Sequence, residues 1–343
     1  MSSNNLLIEI KDLKTYFPLD EGTVKAVDGA TFDIGRGETL GVVGESGCGK
    51  SMVARSILRI VDRPGRIVGG QILYHRAPRV SVASIDVLDL ASLDPASAEM
   101  RAIRGAEIAM IFQEPMTALS PVYTIGNQII EAIEQHRQVI PKAAREEAVR
   151  LLREVGMSLP ERRVDEYPHQ LSGGMRQRAM IAMALSCRPV LLIADEPTTA
   201  LDVTTQAQIL ELMLKLKREL GMGILMITHD LGVIAEMAER VVVMYLGRVA
   251  EAASVRALFR DPKHPYTVAL LNSIPKVGRR ARQRLKPVSG MVPNPYNRPN
   301  GCLFHPRCPS AMRGVCDQVE PPLVSLADGR QVACLLYGGG PSQ

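Results

Sequence analysis

The segment over residues 44–51 carries residue types that suit the binding of a phosphate chain. It fits the pattern G-x-x-x-x-G-K-[ST] and reads Gly44-Glu45-Ser46-Gly47-Cys48-Gly49-Lys50-Ser51. Glycines let the backbone curl so that its N–H groups point inward at an anion, and Lys50 adds a point charge for the β- and γ-phosphates. The Ser51 hydroxyl suits a Mg²⁺ ligand, whereas Cys48 is expected to be a small packing residue. The segment therefore predicts a nucleoside triphosphate site.

Two carboxylates, Asp195 and Glu196, follow the apolar run over residues 190–194. Five consecutive apolar residues are typical of a strand buried on both faces. At the end of such a strand, Asp195 could reach the Mg²⁺ shell, and Glu196 could polarise water against a γ-phosphate. An acidic pair in this position can also form a solvated turn or a helix N-cap. The glycine-rich segment upstream favours the hydrolytic interpretation.

Strand and helix patterns alternate over the first 260 residues and would position these groups. The predicted strands are 6–10, 23–34, Thr39–Val43, 190–194, 224–228 and a hairpin over 241–250. The predicted helices are 52–60, a helical stretch over 125–155, and 206–220. Such alternation indicates an α/β fold with a sheet that is at least partly parallel.

A further motif, Leu171-Ser172-Gly173-Gly174-Met175, precedes the strand that ends in carboxylates. Alone it could be a loop and a helix with a serine N-cap. Together with the glycine-rich segment, residues 6–255 resemble the ABC ATPase family, whose signature is LSGGQ. Met175 departs from the usual glutamine, while the serine and both glycines are intact. The resemblance implies a P-loop NTPase domain with a RecA-like core sheet, an antiparallel β subdomain and a helical subdomain over about 116–178.

The resemblance also implies a role for individual residues. Catalysis is implied for Lys50, for Glu196, which orients water, and for His229 in ITHD, which bonds the γ-phosphate. The implied Mg²⁺ ligands are Ser51, Gln113 in IFQEP and Asp195, and residues 200–202 match the D-loop. Phe17, with Tyr16 as the alternative, would stack on adenine. The full implied nucleotide-binding set is Phe17, Gly44, Glu45, Ser46, Gly47, Cys48, Gly49, Lys50, Ser51, Met52, Gln113, Asp195, Ser172, Gly173 and Gly174.

In this family the LSGG segment completes the site of another subunit. Two ATPase domains would then sandwich two ATP molecules, and hydrolysis would reopen the pair. A non-hydrolysing regulatory subunit is the alternative, and the intact Lys50, Asp195, Glu196 and His229 argue against it.

The chain after about residue 258 is rich in proline and has little periodicity. Its segments HPYT at 264–267 and LLNSIP at 270–275 resemble the C-terminal extension of dipeptide, oligopeptide and nickel importer ATPases. The stretch IADEPTTALDVTTQAQIL resembles the D-type subunit of the peptide group. We therefore predict an ABC ATPase domain over 1–258 and a loop-rich, cysteine-containing extension over 259–343.

The resemblance implies an ATPase that drives uptake of dipeptides or oligopeptides from the cytoplasmic face of the inner or plasma membrane. Its implied partners are an F-type ATPase subunit in a heterodimer, two transmembrane permeases and a periplasmic or extracellular peptide-binding protein. Import of nickel or another small solute is one alternative. A soluble ABC protein acting on the ribosome or DNA is another, but one P-loop, one LSGG and no heptad run argue against it.

Four cysteines, Cys302, Cys308, Cys316 and Cys334, crowd into the last 42 residues. The spacing C-x5-C-x7-C-x17-C contains no close pair of the kind that compact zinc sites use, so spacing does not choose a metal. Three interpretations stay open: buried unligated thiols, structural zinc with His305 as a candidate ligand, or a [4Fe–4S] cluster. The resemblance favours the cluster, since D-type subunits of the peptide group carry one.

Composition and charge agree with an ordinary globular protein, because 46% of the residues are hydrophobic and 22% are charged. The net charge of +5, from 41 basic and 36 acidic side chains, is a mild excess. Apart from Arg279–Arg284 with Lys286, the basic residues are scattered, so we predict no nucleic-acid partner. The apolar runs are far below the ~20 residues that span a bilayer, and the N-terminus lacks a secretory pattern.

Overall fold

The chain divides into two units, which are described separately. The computed structural model describes residues 5–76, 86–114, 118–199, 201–273 and 288–338. The first unit comprises Met1–Ile34, Leu40–Ser92 and Thr228–Gln343, and the second comprises Gly35–Thr39 and Leu93–Ile227. The basic run at 279–284 with Lys286, Ala200 of the D-loop and the end of the chain after Gly338 lie outside the described residues.

Strands and helices follow the predicted order closely. The described strands are β1 Leu6–Leu19, β2 Gly22–Gly35, β3 Thr39–Val43, β4 Arg66–Arg76, β5 Asp86–Asp89, β6 Ile108–Ile111, β7 Leu191–Asp195, β8 Gly223–Ile227, β9 Arg240–Tyr245, β10 Arg248–Ser254, β11 Val324–Ser325 and β12 Gln331–Val332. The described α-helices are α1 Lys50–Ile57, α2 Ala98–Ile103, α3 Ile125–His136, α4 Pro141–Glu154, α5 Pro160–Arg163, α6 Gly173–Leu185, α7 Val203–Leu220, α8 Leu231–Met237, α9 Val255–Arg260 and α10 Pro265–Asn272. The α/β prediction is confirmed.

The first unit contains two sets of strands. One is a four-stranded sheet in the order β2-β1-β4-β5, in which β1 and β4 are antiparallel. The other runs β11-β12-β10-β9-β3. There β3 is parallel to β9, with Val42 opposite Val242, and β9 and β10 form the predicted antiparallel hairpin. All five residues of β3 are buried, as the short apolar run predicts for a strand covered on both faces.

The second unit is built on three parallel strands in the order β8-β7-β6. Its helices include α3 and α4, which replace the single helical stretch predicted over 125–155. Pro141 stands at the first position of α4, where no intrahelical partner for its missing N–H is needed. Inside one continuous helix over 125–155 the same proline would break the hydrogen-bond pattern, so the chain forms two helices. Helix α3 buries Ile125, Ile129 and Ile133, one per turn, which gives it a single apolar face.

The C-terminal extension is more ordered than its proline content predicts. It contains α10, and its strand β12 pairs antiparallel with β10, so that Val332 lies opposite Glu251. Tyr266 and Phe304 are 0% and 2% exposed and pack with Tyr245 of β9. The extension therefore shares the core of the first unit. Within the described part of the chain, every helix is too short or too polar to cross a membrane.

Candidate nucleotide-binding and hydrolysis site

Two positions of the glycine-rich loop between β3 and α1 have a backbone conformation that only glycine can adopt there. Gly44 and Gly49 have φ of 155° and 100°. A Cβ on Gly49 would lie 2.2 Å from the carbonyl oxygen of Ala26, and one on Gly44 would lie 2.3 Å from that of Met244. Both contacts are closer than atoms can approach, so the curled loop requires glycine here. Gly49 is also the residue before α1, whose N-terminal N–H groups suit an anion.

Lys50 lies folded back over this loop and is 5% exposed. Its Nζ donates hydrogen bonds to the carbonyl oxygens of Gly44 at 2.9 Å and Glu45 at 3.1 Å. These carbonyl oxygens hold the ammonium against the loop. Burial raises the pKa of the Cys48 thiol, which is the behaviour of a packing residue and not of a reactive thiolate.

Two side chains of the C-terminal extension contact Glu45 of the same loop. The Arg307 guanidinium donates to both carboxylate oxygens of Glu45, at 2.7 and 2.9 Å. The hydroxyl oxygen of Tyr266 accepts the Glu45 backbone N–H at 2.9 Å. Sequence reasoning missed Arg307, because it lies 262 positions from Glu45 and belongs to no nucleotide-binding motif. The only available signal was an acidic residue inside an anion-binding loop, which calls for a cation nearby.

In the second unit, two predicted site residues, Gln113 and Glu196, are in contact at the end of β7. Asp195 is 3% exposed and is the last residue of the strand. Gln113 Nε2 donates to Glu196 Oε2 at 3.1 Å, and Thr199 Oγ1 donates to the same oxygen at 3.0 Å. Glu196 has a φ of 48°, in the left-handed region that residues other than glycine rarely adopt. Strained backbone of this kind clusters at functional sites.

The LSGG motif lies at the start of α6. Ser172 caps this helix by accepting the Met175 N–H at 3.3 Å, and Ser172 and Gly173 are exposed. The predicted D-loop residue Asp202 caps α7 through the Thr205 N–H at 3.0 Å. Both segments thus present exposed helix N-termini in the second unit, as a contact with another molecule's phosphate would require.

His229 is exposed at the junction that leads into α8 of the first unit. The backbone N–H of its neighbour Thr228 donates to the carbonyl oxygen of Val42 at 3.2 Å, which ties this junction to β3 just before the glycine-rich loop. Asp230 on the other side caps α8 through the Gly232 N–H at 2.7 Å.

The two candidates for adenine stacking differ in their surroundings. The Tyr16 hydroxyl donates to Asp28 at 2.5 Å, so its ring is held by that bond. Phe17 is half-buried, and a Cβ on Gly65 would lie 2.4 Å from its ring. The choice of Phe17 over Tyr16 stays a prediction.

The four clustered cysteines are all described and are all buried or half-buried, and burial disfavours the thiolate form of three of them. Burial raises the pKa of Cys302 to about 11 and also raises the pKa of Cys308 and Cys334. Among the described residues, no group of three or more His, Cys, Asp or Glu side chains is arranged to hold a metal ion. The structure therefore gives no support to the predicted iron–sulfur cluster or to zinc.

Comparison with known proteins shows the family. A model described as ABC transporter matches residues 27–199, and one described as the C-terminal region of oligopeptide/dipeptide transporters matches residues 250–316. The chain belongs to the ABC transporter family, as an ATPase subunit for which ATP and Mg²⁺ are fitting cofactors.

Particular relatives match nearly the whole chain. It is 50% identical to the oligopeptide transport ATP-binding protein AppD of Bacillus subtilis, over 96% of this chain and 97% of that protein. It is 47% identical to the dipeptide transport ATP-binding protein DppD of Haemophilus influenzae, over 96% and 94%. A solved dimer of the ATP-binding cassette MJ0796 bound to ADP and Pi aligns with a TM-score of 0.62 at 28% identity, covering 73% of this chain and 99% of that one.

Proposed function

We propose that this ATPase is the motor subunit of an importer for dipeptides or oligopeptides. The observation that carries the proposal is the near full-length similarity to ATP-binding proteins of peptide transport. The match of residues 250–316 to the C-terminal region of such transporters supports it. Nickel or another small solute is the second candidate, because the C-terminal motifs are shared with such importers.

In the proposed site, each residue has the role that the family resemblance implies. Lys50 and the N–H groups of the glycine-rich loop hold the β- and γ-phosphates, and Phe17 stacks on adenine. Ser51, Gln113 and Asp195 would hold Mg²⁺, which neutralises charge on the phosphates when bound. Glu196 orients the attacking water and His229 bonds the γ-phosphate, so that catalysis rests on positioning and electrostatics.

A partner subunit completes the site in this proposal. The exposed start of α6, with Ser172, Gly173 and Gly174, would contact the γ-phosphate of ATP bound to a second ATPase subunit of the F type. The paired subunits would dock on two permeases at the cytoplasmic face of the membrane, and a peptide-binding protein would supply the substrate. ATP would close the pair, and hydrolysis would reopen it.

Glu196→Gln tests the proposed catalytic role. We expect this variant to lose ATP hydrolysis by at least about 100-fold, because the amide cannot accept a proton from water. ATP binding should persist, so that the variant accumulates as an ATP-bound pair in size-exclusion chromatography. Glu211→Gln, on the exposed face of α7, is the matched control and should hydrolyse ATP normally. Hydrolysis at the wild-type rate by Glu196→Gln would refute the role.

We also propose a cofactor for Cys302, Cys308, Cys316 and Cys334: a [4Fe–4S] cluster, with zinc as the alternative. Its support is the family resemblance and the crowding of the four cysteines into the last 42 residues of the sequence. A cofactor there would have a structural or sensing role. Iron, sulfide and zinc analysis of the protein purified without oxygen tests it. Iron with acid-labile sulfide is expected, and a preparation with neither metal would contradict the proposal.

A further inference from the structure

A second set of side chains holds the nucleotide loop of the first unit, apart from the motif residues. Arg307 makes two parallel hydrogen bonds to the Glu45 carboxylate, and its Nε donates to the carbonyl oxygen of Ser289 at 3.0 Å. Tyr266 accepts the backbone N–H of Glu45. Both the main chain and the side chain of Glu45 are therefore held by the C-terminal extension.

The charge on Glu45 matters because its loop must receive a polyanion. A carboxylate near the phosphate-binding N–H groups would repel the triphosphate. The Arg307 side chain is 3% exposed and that of Glu45 is 24% exposed, so water screens their attraction only in part. The planar guanidinium matches the carboxylate with two bonds, which gives a charge-assisted and directional contact.

Arg307 itself is held firmly. It is the last residue of the 3-10 turn His305–Arg307, and this turn begins directly after the buried Phe304. Its guanidinium carbon lies 5.9 Å from the Tyr245 ring centre and 6.0 Å from that of Phe304, within the range of cation–π attraction. Tyr245 also precedes the turn in which the Gly247 N–H donates to the Cys48 carbonyl oxygen at 2.9 Å. Arg307 and the rings of Tyr245 and Phe304 thus pack together beside the glycine-rich loop.

We propose that Arg307 is a positioning residue of the nucleotide site: it holds Glu45 in place and neutralises its charge, so that the glycine-rich loop accepts the triphosphate. The inference rests on the proposed nucleotide site around Lys50. It gives the C-terminal extension a direct part in the affinity for ATP.

The test compares Mg²⁺-ATP affinity in four variants of the full-length chain, measured with a fluorescent ATP analogue. Arg307→Ala should raise the Kd about tenfold, because the bare carboxylate then faces the phosphates. Arg307→Lys keeps the charge but not the two parallel bonds, so its Kd should lie between those of the wild type and Arg307→Ala. Arg307→Ala combined with Glu45→Gln should recover most of the affinity, since the repelling charge is gone.

Arg330→Ala is the matched control. Arg330 is another buried arginine of the extension, 7% exposed, that bonds Asp328 and the Asp261 carbonyl oxygen instead of the loop. Its variant should lose thermal stability but keep the wild-type Kd. Equal weakening by Arg307→Ala and Arg330→Ala, or no recovery in the double variant, would overturn the inference. A wild-type chain that fails to bind Mg²⁺-ATP would instead contradict the proposed function.

Discussion

At the scale of single residues, the glycines of the nucleotide loop do different work. Gly47 and Gly49 both have positive φ, 76° and 100°. A Cβ on Gly47 would meet nothing within 4 Å, whereas one on Gly49 would strike the Ala26 carbonyl oxygen. The two positions thus share a positive φ, which glycine adopts without strain, and differ in crowding, which makes them a matched pair.

We expect Gly47→Ala to lower the free energy of unfolding by about 1–2 kcal/mol, the cost of a side chain in the left-handed region. Gly49→Ala should cost about 3 kcal/mol or more, since the loop must also move away from Ala26. Urea unfolding without nucleotide measures both values, and a titration with Mg²⁺-ATP should show the larger loss of affinity for Gly49→Ala. Equal effects of the two substitutions would contradict this account of the loop.

At the scale of elements, α10 depends on a buried histidine. His264 is 4% exposed and caps the helix, because its Nδ1 accepts the Tyr266 N–H at 3.0 Å. The backbone N–H groups of Lys263 and His264 donate to the buried Glu251 carboxylate of β10. Burial lowers the pKa of His264 from 6.5 to about 4, so the imidazole is neutral in the folded protein at neutral pH.

This shift predicts acid sensitivity. Between pH 6.5 and about 4 the unfolded chain binds a proton at His264 that the folded chain does not, so stability falls as the pH falls. The loss should approach about 3 kcal/mol at pH 4 and be absent above pH 7. His264→Asn, which can still cap the helix, should flatten the dependence of the unfolding free energy on pH over this window. His169→Asn, at an exposed histidine of the second unit, should keep the wild-type slope, and an unchanged slope in His264→Asn would refute the prediction.

At the scale of the whole molecule, the chain shows which features short-range patterns can predict. The β9–β10 hairpin and the strand–loop–helix unit from β3 to α1 follow from periodicity and glycine placement within about 20 residues. Glu196 was found from the acidic pair at the end of an apolar run, whereas Gln113 was assigned only by resemblance. Their contact depends on the pairing of strands β6 and β7, which short-range patterns do not predict.

The extension was the least predictable part, and the physical reason is distance along the chain. Its prolines hide the periodicity of α10, and strands of two residues, such as β12, carry no pattern of their own. The partner of β12 is β10, about 80 positions earlier, and Phe304 packs against the ring of Tyr245, far back along the chain. Local sequence holds no trace of such pairings.

The contact between Arg307 and Glu45 has a consequence for synthesis. A ribosome that has added Glu45 must add 262 further residues to reach the arginine. At about 5–20 residues per second this takes roughly 13–50 s. During that interval the loop carries an unneutralised carboxylate, so the nascent chain should bind nucleotide poorly and acquire full affinity only after Arg307 has been added.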